Sequence, residues 1–200
     1  MGTIAIIILA YAIGSIYFAV LVSRAFGLPD PRSYGSGNPG ATNVMRSGKK
    51  AAAILTLLGD GAKGWLAVFL AQQLAPAWGV GDMGIAAAAL AVFIGHVFPV
   101  FFGFKGGKGV ATAAGIMLAL NVWLGLAVLA TWLLTFALSR YSSLSAILAA
   151  GLAPLYAAIF LAPLYVGMLV ILAALLIWRH RANIRKLLQG EESGFKKAQE

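Results

Sequence analysis

No cysteine occurs in the 200 residues. That excludes disulfides, thiol nucleophiles and cysteine-held metals. Charge is nearly as scarce: only 10% of residues are Asp, Glu, Lys or Arg, with six acidic side chains against fifteen basic ones. Soluble domains carry about 25% charged and about 45–50% apolar residues. This chain is 61% hydrophobic with a mean hydropathy of +0.90, the composition of an integral membrane protein. At roughly 20 residues per span it has room for six or seven helices and for no separate soluble domain, so 1–200 is expected to be a single domain. The first 24 residues lack the basic flank of a cleaved signal peptide and read as a retained first span.

Two catalytic signatures are also missing. Neither histidine has an aspartate five residues on, since those positions hold Phe101 and Arg185. The H-x-x-x-x-D pattern of thioester-using acyltransferases is therefore absent. No paired Asp-rich motif is present, which argues against a metal-dependent phosphatidyltransferase, and no metal site or cofactor is expected.

What polarity there is gathers in a few islands. Residues 30–50, DPRSYGSGNPGATNVMRSGKK, hold four glycines, two prolines, Ser33, Ser36, Asn38, Thr42, Asn43, Arg46, Lys49 and Lys50, with Asp30 the one acid. Glycines let successive N–H groups turn toward one point, and hydroxyls, amides and cations add donors to the same anion. A plain connecting loop needs turn residues, but not this many donors. Gly35, Gly37 and Gly40 fit G-x-G-x-x-G in spacing, but an apolar helix precedes them and Pro39 interrupts them, so a dinucleotide fingerprint is rejected. The second island is GFKGGKG at 103–109. Lys105 and Lys108 flank the Gly106–Gly107 pair just before a helix start, where anions are favoured. The spacing is not that of a P-loop and no Ser or Thr follows Lys108, so nucleotide hydrolysis is not expected.

Spans are expected at about Thr3–Ser23, Ala51–Leu74 and Gly84–Phe102. The 29 apolar residues after Gly109 read as one tilted helix or as two short ones turning near Asn121. The last 35-residue run must divide near residue 162, before Pro163. Charge selects the two-helix reading: with seven spans, an outside N-terminus and a cytoplasmic C-terminus, every polar island lies inside. Fourteen of the fifteen cations then do so, as the positive-inside rule requires. The expected fold is all-α and polytopic, with about seven transmembrane helices and glycine-rich cytoplasmic loops. Lys63, the remaining cation, sits three residues from Asp60 on one face of the second span, where pairing offsets the cost of burial. His96 and His180 fall near the inner ends of their spans. Each is either a helix-to-helix hydrogen bond or a phosphate donor or proton shuttle. Ser142 and Ser143 follow Arg140, a weaker signal.

These motifs resemble the bacterial membrane glycerol-3-phosphate acyltransferases that use acyl phosphate as donor. The resemblance covers nearly the whole chain and rests on GSGNPGATNVMR at 35–46, HVFPVFFGFKGGKGVAT at 96–112, RYSS at 140–143 and RHRANI at 179–184. It implies transfer of an acyl group from acyl phosphate to glycerol 3-phosphate, giving 1-acyl-glycerol 3-phosphate and phosphate, the first step of bacterial phospholipid synthesis. The implied partners are those two substrates and membrane lipid, without nucleic acid. The implied place is the bacterial inner membrane, with the site on its cytoplasmic side. On that footing Ser36, Arg46, Lys105 and His96 form the expected catalytic set. Gly37, Asn38, Thr42, Gly106, Gly107, Lys108, Ser142, Ser143, His180 and Asn183 are the expected phosphate- and substrate-binding residues. The rivals are an anion channel or phosphate-ester carrier, and a purely structural membrane subunit. A carrier usually places its site near the midplane, whereas polarity here gathers at one face.

Overall fold

A computed structural model describes residues 1–195. Lys196 and Lys197, two of the fourteen cations expected inside, lie outside the described residues. Among the described residues there is no strand. The chain forms two compact units, Met1–Leu120 and the residues from Asn121 onward.

The first unit holds α1 (Gly2–Gly14), α2 (Phe18–Ala25), the short α3 (Ala41–Met45), α4 (Lys50–Leu74), α5 (Asp82–Val97) and α6 (Val110–Leu120), with a 3-10 turn at Val100–Phe102. Helix α1 packs on α5, and α4 packs on α6. Both crossings depend on small residues. A Cβ on Gly14 would run into the Val92 carbonyl, and one on Gly95 into the Tyr11 carbonyl. Gly64 and Gly115 bring α4 and α6 together in the same way, against the carbonyls of Thr112 and Gly61. Between helices in lipid, close backbone approach supplies the packing that the hydrophobic effect does not.

The second unit holds α7 (Val122–Ser139), α8 (Ser142–Phe160), α9 (Pro163–Arg179) and α10 (Arg181–Leu188). Helix α8 packs on both α7 and α9. A helix break falls at Asn121, where one was expected, and its cause is visible. Asn121 is the N-cap of α7, its Oδ1 accepting from the N–H groups of Trp123 (2.9 Å) and Leu124 (3.1 Å). Asn121→Ala should destabilise the start of α7 by about 0.5–2 kcal/mol, measurable as a lower unfolding midpoint in detergent. Pro163 opens α9 at its first turn, where its missing N–H costs nothing.

Among the described residues, five segments are long and apolar enough to cross a membrane: Gly2–Ala25, α4, Asp82–Phe102, α7 and α8. Helices α9 and α10 together make a sixth that bends by 59°, and α6 is a shorter apolar helix of 11 residues. The first span, expected at about Thr3–Ser23, is present as Gly2–Ala25, with a break in its helix at Ser15–Tyr17. There the Ser15 hydroxyl donates to the Tyr11 carbonyl (2.9 Å), and the Ile16 carbonyl accepts from Lys63 Nζ (2.7 Å) instead of continuing the helical ladder.

Candidate functional site

The first glycine-rich stretch is shaped by a residue the sequence reading did not single out as functional. Asn43, in α3, is 1% exposed. Its Nδ2 donates to the carbonyls of Pro31 (2.6 Å) and Tyr34 (3.1 Å), and its Oδ1 accepts from the Ser36 N–H (3.0 Å). The loop is thereby wound around one side-chain amide. Gly35 and Gly37 turn the chain with φ of +59° and +66°, values that only glycine adopts without strain. Ser36 Oγ accepts from the Asn38 N–H at 3.4 Å. The stem of Arg46 lies against Gly35, where an added Cβ would come 3.2 Å from Arg46 Cδ. Ser36, Gly37, Asn38 and Arg46 are thus brought to one turn, with Ser36, Thr42 and Arg46 exposed at its surface. At the loop's start Asp30 pairs with Arg32 (2.6 Å). The hydrogen bonds from Arg32 hold the Asp30 carboxyl below the usual carboxylate range.

The second stretch is pinned from three sides. Tyr11 Oη donates to the Phe98 carbonyl (2.8 Å), Tyr17 Oη donates to the Lys105 carbonyl (2.9 Å), and the Val100 N–H donates to Ser15 Oγ (3.4 Å). The Tyr17 ring meets Phe102 edge-on at 4.9 Å. All three side chains belong to α1 or to the break after it, which gives that break a purpose at the loop. The N–H groups of Gly106 and Gly107 donate to the carbonyls of Val97 (3.1 Å) and His96 (3.2 Å). The sequence reading assigned these two glycines to phosphate, but the geometry directs their amides at the end of α5. What they add is close approach: a Cβ on Gly107 would strike His96 Nε2. Lys105 is exposed and Lys108 half-buried.

His96 lies beneath this loop and is 4% exposed. Its Nδ1 is 3.2 Å from Thr112 Oγ1 and 3.5 Å from Asp60 Oδ1. Thr112 Oγ1 itself donates to the Asp60 carbonyl (3.0 Å), so its lone pairs face the histidine and Nδ1 carries the proton. Asp60 Oδ1 also meets Lys63 Nζ at 2.8 Å. The Asp60–Lys63 pair expected from the sequence is present, and the structure adds Thr112 and the contact with His96, neither of which the sequence reveals.

The two stretches share a fastening. Tyr17, at the start of α2, bonds the lysine loop, while Ala19 of α2 packs with Val44 of α3 and Ala52 and Ala53 of α4. Both polar islands of the first unit are therefore held to a helix of eight residues, about 12 Å long.

In the second unit, Ser142 opens α8 and Ser143 is buried beside it. Ser143 Oγ (2.6 Å) and Asn183 Nδ2 (2.7 Å) both donate to Glu192 Oε1. The segment after Glu192 returns to the Arg140 turn, where the Phe195 N–H donates to the Arg140 carbonyl (3.0 Å) and the Phe195 ring meets Phe136 edge-on at 5.4 Å. His180 is 2% exposed, with Nδ1 2.8 Å from the Leu176 carbonyl. That contact fixes the Nδ1–H tautomer. Glu192 went unnoticed in the sequence, although its signal was its rarity among six acids in the whole chain.

These features define a class: an all-helical integral membrane protein carrying glycine-rich, cation-bearing loops. The glycerol-3-phosphate acyltransferase family matches residues 4–190, and the chain belongs to that family. A relative from Ralstonia nicotianae, called glycerol-3-phosphate acyltransferase, is 63% identical over 195 residues, covering 96% of this chain and 94% of its own length. The crystal structure of PlsY, an integral membrane glycerol 3-phosphate acyltransferase, in its glycerol 3-phosphate form superposes with a TM-score of 0.90 at 38% identity, covering 98% of this chain and 96% of that one. The lysophosphatidic acid form of the same protein gives a TM-score of 0.89 at 36% identity, with the same coverage.

Proposed function

We propose that the chain acylates glycerol 3-phosphate with acyl phosphate at the cytoplasmic face of the bacterial inner membrane. The glycerol hydroxyl oxygen bonds to the acyl carbonyl carbon, and the bond from that carbon to the phosphate oxygen breaks. The products are 1-acyl-glycerol 3-phosphate and inorganic phosphate. A mixed anhydride carries a good leaving group, so the chemistry needs no strong protein base. The hydroxyl proton passes to a substrate phosphate oxygen, in keeping with the near-complete burial of both His96 and His180.

The observation that carries this reading is the fastening of two donor-rich loops to the one short helix α2 in a chain of this family. Ser36, Arg46 and Lys105 hold the acyl phosphate head and stabilise the departing phosphate by charge-assisted hydrogen bonds. Gly37, Asn38, Thr42 and Lys108 complete the anion site. His96 acts from beneath the loop by holding it. In the second unit, Ser142 and Asn183 are assigned to glycerol 3-phosphate, while the buried Ser143 and His180, which contact Glu192 and the Leu176 carbonyl, act by holding that corner.

Purified protein given acyl phosphate and glycerol 3-phosphate, without nucleotide, should release phosphate and form the lyso product one for one. Dependence on an acyl thioester, or flux of glycerol 3-phosphate across vesicles without phosphate release, would overturn the reading in favour of another donor or a carrier.

The same reading makes seven membrane passes, with the N-terminus outside. Single cysteines can map this cleanly because the chain has none of its own. A membrane-impermeant thiol reagent should label Ser47→Cys only from the cytoplasmic side and Gly81→Cys only from the outer side. Labelling of both from one side would exclude this topology.

A further inference from the structure

The buried ions of α4 have no obvious reason to be charged. Lys63 and Asp60 are each 3% exposed, and a pair of apolar side chains would pack there without removing two charges from water. Their contacts, however, all lead to one place. Lys63 Nζ forms an ion pair with Asp60 Oδ1 (2.8 Å), donates to the Ile16 carbonyl (2.7 Å), and lies 5.9 Å from the centre of the Phe18 ring. Ile16 is the residue before Tyr17, whose hydroxyl holds the Lys105 carbonyl. On its other side Asp60 faces His96 Nδ1, and the His96 and Val97 carbonyls receive the N–H groups of Gly107 and Gly106. Thr112, which bonds the Asp60 carbonyl and lies against His96, stands in the first turn of α6, directly after the loop.

We infer that Lys63, Asp60, His96 and Thr112 form a positioning device for the lysine loop, fixing Lys105 and Lys108 at the place where substrate phosphate is held. The device grips the loop at Lys105 through the α1–α2 break, at Gly106–Gly107 through the end of α5, and beyond Gly109 through α6. Asp60 is its centre, because it meets both the cation that sets the break and the imidazole that lies under Gly107. Ionised, it places one negative charge 2.8 Å from Lys63 Nζ and 3.5 Å from His96 Nδ1, which an amide cannot replace: its oxygen carries no charge, and its NH2 would face the Lys63 donors. All four side chains are buried, so each acts through Lys105 and Lys108. The inference rests on the reading that the loop holds phosphate.

The test is a double-mutant cycle with Lys105→Ala, read as kcat/KM of the purified full chain for acyl phosphate and glycerol 3-phosphate. Asp60→Asn should lower kcat/KM about 10- to 100-fold in the native background and less than about threefold in the Lys105→Ala background, because the contact it serves is already gone. Asp60→Asn leaves Lys63 buried beside a neutral partner, and the variant can fail to fold. Thr112→Val, which removes one hydroxyl and keeps the side-chain shape, therefore runs beside it, with an expected loss of about tenfold that likewise shrinks without Lys105. His96→Asn, whose amide replaces the Nδ1 donor, should retain more activity than His96→Gln, whose amide replaces the other ring nitrogen. Losses that multiply in full with Lys105→Ala would show an ion pair serving only the helix packing and would overturn the inference. So would a folded Asp60→Asn/Lys63→Met pair with native kcat/KM. Full activity of Lys105→Ala by itself would instead remove the phosphate-holding reading on which the inference stands, so the two failures are distinct.

Discussion

Lys105→Ala should lower kcat/KM by roughly 10- to 200-fold while leaving the protein as stable in detergent as before. The side chain is exposed, so its removal opens no cavity. The structure holds Lys105 by its carbonyl, through Tyr17 Oη, and that bond survives truncation of the side chain. What is lost is one charge-assisted hydrogen bond to phosphate, about 1.5–3 kcal/mol, which converts to the stated range if the contact tightens as phosphate departs. Arg46→Ala should behave alike. Arg46→Lys should rescue little, because an ammonium does not reproduce the planar fork of donors. Steady-state kinetics with both substrates varied would check this, and native kcat/KM for Lys105→Ala would sink the assignment.

Asn43→Ala should abolish most activity by a different route. Three hydrogen bonds converge on its amide, from the Ser36 N–H and to the carbonyls of Pro31 and Tyr34. At about 1 kcal/mol net each, their loss disfavours the ordered loop by roughly 3 kcal/mol, about two orders of magnitude in its population. Ser36 and Arg46 would keep their chemistry and lose their placement. The expected signature is a drop of about 100-fold in kcat/KM with helix content unchanged by circular dichroism, and proteolytic cleavage newly possible within residues 31–40. Asn43→Asp should not recover the activity, since a carboxylate oxygen would face the Pro31 and Tyr34 carbonyls in place of the amide donor. Equal activity of Asn43→Ala and the native chain would show that the loop is organised by something else.

Much of the helical layout is legible from composition and from a few punctuating residues. A helix break near Asn121 is expected from charge placement, and the structure shows a break there with its cap. Pro163 marks its own helix start. The two polar islands stand out because glycine, amide and cation are rare elsewhere in the chain. The break at Ser15–Tyr17 does not stand out. It is held by Lys63 reaching the Ile16 carbonyl from 47 residues away, and its local sign within YAIGSIYF is only the Gly14–Ser15 pair. Asn43 was visible only as one donor among many, since the inward turn of its amide is a fact of the folded loop. The link from Asp60 to His96 was hidden for a related reason. These helices are apolar on nearly every face, so periodicity gives no inward direction, and which faces of α4, α5 and α6 meet is set by glycine contacts such as Gly64 on Thr112.

Helix α6 has 11 residues, about 16 Å along its axis, against a hydrocarbon layer of about 30 Å. In the seven-pass reading it cannot reach both surfaces, and the lysine loop that feeds it dips below the headgroup plane. The fatty chain of the donor then has no need to be lifted out of its leaflet. The small, water-soluble alcohol makes the journey instead, descending to the anhydride, and the newly made ester is left already seated among its neighbours in the bilayer.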